Sequence, residues 1–73
     1  MEHDSKAADE AMAIARVAEA AREVQSASSA LEQHFHESSD GAPPTLQLAR
    51  LTAAINELQS ARDALDALVA RKP

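Results

Sequence analysis

Apolar side chains recur along this 73-residue chain at alternating steps of three and four. In the first half the row is Ala7, Ile14, Val17, Ala21, Val24, Ser28, Leu31 and Phe35, with Glu10 in the slot between the first two. A second row, Leu48, Leu51, Ile55, Leu58, Arg62, Leu65 and Val69, keeps the same steps. Steps averaging about 3.5 residues put each row on one stripe of an α-helix and predict a left-handed seam between two helices. Between the rows, residues 38–45 hold the single glycine and two of the three prolines, so the chain turns there. The pattern predicts a helix over about 5–37, a loop over 38–45 and a helix over about 45–71, one domain spanning 1–73. Asp4 or Ser5 is placed to cap the first helix, and Gly41 to take a left-handed conformation after it. Pro43 or Pro44 suits the first turn of the second helix, and Arg71 and Lys72 complement its carbonyl end.

A turn at Gly41 makes the expected fold all-α, an antiparallel two-helix hairpin of coiled-coil type. Its expected seam is Ile14, Val17, Val24, Leu31 and Phe35 against Leu48, Leu51, Ile55, Leu58, Leu65 and Val69. Facing residue numbers then sum to 82 or 83, so that Phe35 meets Leu48 and Ile14 meets Val69. Small residues, Ser28 and Ala21, oppose Ile55 and Arg62, which supports the pairing by size. Val24, Leu31 and Leu58 are expected to lie deepest. Arg62 breaks the apolar row, and its stem is expected to pack while the guanidinium reaches Asp66 or Glu23.

The two rows also resemble each other residue by residue. Shifted by 34 positions without a gap, residues 14–33 match 48–67 at nine of twenty places. The identities are Ala15/Ala49, Arg16/Arg50, Ala20/Ala54, Glu23/Glu57, Gln25/Gln59, Ser26/Ser60, Ala27/Ala61, Ala30/Ala64 and Leu31/Leu65. Duplication of one helix would give the hairpin a pseudo-twofold axis.

Composition raises the question of what completes the core. Leu, Ile, Val and Phe number only thirteen, against eighteen alanines. Two helices bury only the surface between them, and a chain below about 80 residues is marginal even as a full globule. Beside the expected seam, Ala13, Ala20 and Ala27 and then Ala54, Ala61 and Leu68 hold the flank where Glu and Lys are usual. These six are the expected partner or oligomer face, along which the hairpin completes a four-helix bundle with a second copy or with helices of a partner.

Charge and chemistry narrow the function classes. Twelve acids against seven Lys and Arg give a net charge of −5, which disfavours nucleic acid and anionic lipid. With no cysteine there is neither a disulfide scaffold nor a thiolate site. His34 and His36 are two residues apart and point to different sides of a helix, so with Glu32 and Glu37 they make no metal site. No catalytic residue, cofactor site, metal or small-molecule substrate is expected, nor a membrane span. An opening Met-Glu-His-Asp-Ser-Lys is unlike a secretory leader, which makes the cytoplasm the expected location. The expected function is a non-enzymatic protein–protein interaction module, a small adaptor, co-chaperone or regulatory subunit, whose partner is a protein or a second copy. The alternative is a self-assembling dimeric four-helix-bundle regulator that binds RNA or another nucleic acid.

Overall fold

The computed structural model describes the backbone of residues 2–37 and 41–71 and the side chains of 7–37 and 41–71. Expectations placed on Ser38, Ser39, Asp40, Lys72 and the side chains of Asp4 and Ser5 lie outside those residues. Two helices, α1 (Glu2–Glu37) and α2 (Thr45–Ala70), account for the secondary structure described and pack against each other. Alanine, which loses no side-chain entropy in a helix, makes such long uninterrupted elements favourable.

Element ends differ from expectation by a few residues. Because α1 is already helical at Glu2, Asp4 and Ser5 lie within it instead of capping it. Gly41 has φ +75°, the left-handed conformation expected of it. The His34 ring N–H donates to the Ala42 carbonyl over 2.9 Å, which ties the turn back to the last turns of α1. Pro44 is the residue before α2 and not in its first turn, and no side chain caps that end. Its carbonyl accepts from the Leu48 N–H at 2.9 Å, the first bond of the helix ladder. At the far end the Arg71 N–H donates to the Leu68 carbonyl at 3.3 Å, a three-residue step that tightens the final turn.

The seam is rotated from the expected one. Ala13, Ala20, Ala27, Ala54 and Ala61 are the buried residues, with Ala27 and Ala61 fully inaccessible. Val17, Val24, Leu31, Leu51, Leu58, Leu65 and Leu68 are half-buried. Together these positions keep the three-four step, but the alanine beside each valine or leucine points inward instead of the residue after it. Each helix is turned by about 50°, half of one residue's angular step. Ile14, Phe35, Leu48, Ile55 and Val69, expected in the seam, are exposed, and Arg62 is exposed as well. Val24, Leu31 and Leu58 are therefore not the deepest residues. Conversely Ala13, Ala20, Ala27, Ala54 and Ala61, expected to face a partner, hold the hairpin itself together, with Leu68 half-buried at the same stripe.

Physics favours this choice over the more hydrophobic one. A seam through Arg62 would have to desolvate a charge, whereas the buried alanines bring no polar side-chain atom with them. No polar or charged residue is buried among the described residues. Alanine also lets backbones approach to the short end of the usual 8–10 Å range of helix separations, gaining dispersion contacts along the whole length. The result is a rod with Cα extents of 59 × 15 × 12 Å. Its radius of gyration is 17.1 Å, against about 11 Å for a compact chain of this length.

Candidate functional site

Turning the seam separates the two broad faces of the rod. On one edge stand the residues three after the buried alanines, Arg16 and Glu23 on α1 and Glu57 on α2, together with Arg50. They close two ion pairs across the hairpin. Arg16 Nε donates to Glu57 Oε2 at 2.8 Å and its Nη2 to Ser60 Oγ at 3.2 Å. Arg50 Nε and Nη2 donate to the two carboxylate oxygens of Glu23 at 2.8 and 3.2 Å, and Nη2 to Ser26 Oγ at 3.0 Å. Hydrogen bonding from the guanidinium holds each carboxyl below its ordinary value, with the opposite charge acting in the same direction. Each arginine is raised in turn by its carboxylate.

These two clasps are related by the internal repeat. Arg16 and Arg50, Glu23 and Glu57, and Ser26 and Ser60 are three of its identical pairs, and each arginine meets the glutamate of the other copy. Glu23 is therefore engaged by Arg50, not by Arg62, which makes no ion pair among the described residues. The numbers of the paired residues sum to 73 in both ion pairs and to 76 in both serine contacts. Against the expected 82 or 83, the helices are slid by about two turns.

The opposite face carries most of the exposed large apolar residues. Residues three before the half-buried row, Ile14, Ala21 and Ser28 on α1 and Leu48, Ile55 and Arg62 on α2, line its edge, with Phe35 and Val69 at the two ends. Ile14 is 56% exposed, Phe35 65% and Val69 54%. The Phe35 ring meets neighbouring His34 edge-on at 6.0 Å. Five large apolar side chains thus stand in water at regular spacing along one side of the rod, interrupted by Ser28 and Arg62. Met12 and Leu46, also exposed, are set toward the clasped face and are themselves 34 residues apart.

Reading the heptads alone located the apolar residues of this face but placed them inside. It missed the clasp entirely, although the repeat contained the signal: identical Arg, Glu and Ser in two antiparallel copies can satisfy each other only across a pseudo-twofold. No described helix is long and apolar enough to cross a membrane. In comparison with known proteins the chain matches no family model, no curated protein and no solved structure.

Proposed function

We propose that this chain is a non-enzymatic interaction module, of the adaptor, co-chaperone or regulatory-subunit kind, that works by covering its apolar face with helices of another chain. The observation that carries this reading is the row Ile14, Leu48, Ile55, Phe35 and Val69, all exposed and all on the side away from the ion pairs. Accessible area supports it: the chain exposes 5610 Å², against about 4,300 Å² for a compact monomer of its mass. A protein surface fits the face better than nucleic acid does. Two of the seven basic residues, Arg16 and Arg50, are already held on carboxylates, and the chain carries −5 overall.

The test is capture on the immobilised chain from its native cell, compared with the Leu48→Asp/Ile55→Asp variant. Retention of a specific protein by the parent, lost in the variant while its far-ultraviolet circular dichroism stays helical, supports the module. Equal retention by both would place any binding elsewhere and remove the reading.

A further inference from the structure

We infer that the occupant of the apolar face is a second copy of this chain, laid face to face and turned about the long axis of the rod, so that α1 of each copy lies over α2 of the other in a four-helix bundle. The inference rests on the interaction-module reading and names its partner.

Three observations point to a copy. The first is symmetry. A twofold contact presents the same patch twice and must be self-complementary, and this face carries its own internal copy, with Ile14 equivalent to Leu48, Ala21 to Ile55 and Ser28 to Arg62 in the repeat.

The second is size. The ion pairs, summing to 73, and the serine contacts, summing to 76, set Ile55 level with the turn Ala18–Ala21, Leu48 level with Gln25–Ser28, and Ile14 level with Gln59–Arg62. Rotation about the rod's long axis keeps those levels and exchanges the helices. Ile55 then lies over the partner's Ala18 and Ala21, a large side chain over small ones, which is how close-packed layers interdigitate, while Ile14 lies over the turn that holds the partner's Gln59 and Arg62. A copy turned end over end would instead stack α2 on α2.

The third is area. The Cα extents of 59 × 15 Å give the face a footprint near 900 Å², the size of one side of a standard stable interface at about 800 Å² per partner. Charge does not oppose the approach. Along this face the described charged side chains are Arg62, Glu32 and Asp66, a mixed set that leaves most of the acidity of the chain elsewhere.

Light scattering on the full chain over the micromolar range tests the inference. The expected mass is 15.4 kDa, twice 7.7 kDa. Ile14→Asp/Ile55→Asp should halve it, whereas Met12→Asp/Leu46→Asp, on the other broad face, should leave it at the dimer. Should the first variant lose helicity, a spin label at Glu37→Cys on the otherwise intact chain still decides. The chain has no other cysteine, so the label is unique. Turn ends side by side would give a short distance between labels; a distance approaching the 59 Å rod length would overturn the orientation. A parent that stays at 7.7 kDa at high micromolar concentration overturns the dimer. In that case capture of a different protein, lost on Leu48→Asp/Ile55→Asp, would leave the interaction-module reading standing alone.

Discussion

At the scale of single residues, the smallest apolar side chain has the strictest position. Ala27 and Ala61 are fully inaccessible, so a larger group at either site must push the helices apart. Ala27→Leu should destabilise the hairpin by about 1–3 kcal/mol through overpacking, read as a lower urea midpoint. Ala15→Leu, with nearly the same helix propensity but an exposed site, should be close to neutral. Leu58, only half-buried, should lose toward the low end of the usual range on truncation to Ala, about 2 kcal/mol. The clasps make a pH prediction. Glu23 and Glu57 are held below their ordinary value of 4.5 in the folded chain. Their contribution is complete above that value and is lost as pH falls through the lowered folded one. An acid titration of the melting temperature should therefore show a loss below pH 4.5 in the parent that Glu23→Gln/Glu57→Gln lacks. The loss should be small and should fade with added salt, because both pairs are open to water.

At the scale of elements, the turn and the repeat matter most. Gly41 holds a left-handed φ of +75°, and an added Cβ there would meet nothing within 4 Å. Gly41→Ala should thus cost about 1 kcal/mol from backbone conformation alone, with no contribution from a clash. A synthetic chain with D-alanine at that position should recover the loss, since the mirror-image residue prefers that conformation. Pseudo-symmetry makes a further demand on the helices. Double-mutant cycles on Arg16–Glu57 and Arg50–Glu23 should return coupling energies of the same sign, with the Arg50–Glu23 pair, which has two hydrogen bonds to the other's one, at least as large.

At the scale of the whole molecule, the rod has one seam and leaves its second broad face exposed. One seam lined by alanine buries little apolar area against the conformational entropy of some sixty ordered residues, so stability should depend on whatever covers the second face. If that is another copy, the melting temperature rises with protein concentration, and the dependence disappears in Ile14→Asp/Ile55→Asp. Calorimetry at two concentrations separates this from a self-sufficient hairpin, whose melting temperature would not move.

Local chemistry made helices, turn and apolar rows legible from the sequence alone. Spacing of three and four specifies a stripe, and glycine with two prolines specifies a break, whatever the chain later packs against. Two overlapping stripes share Val17, Val24 and Leu31, and again Leu51, Leu58 and Leu65. One is completed by Ile14, Ala21, Ser28 and Phe35, the other by Ala13, Ala20 and Ala27. Hydrophobicity ranks the first higher. Only the packed pair of helices decides between them, because the gain from close backbone approach, the cost of desolvating Arg62 and the reach of Arg16 to Glu57 depend on where the second helix stands. The same small rotation turned five apolar residues from an expected core into an exposed face, and it is that face, not the alanine row, on which the proposed partner would dock.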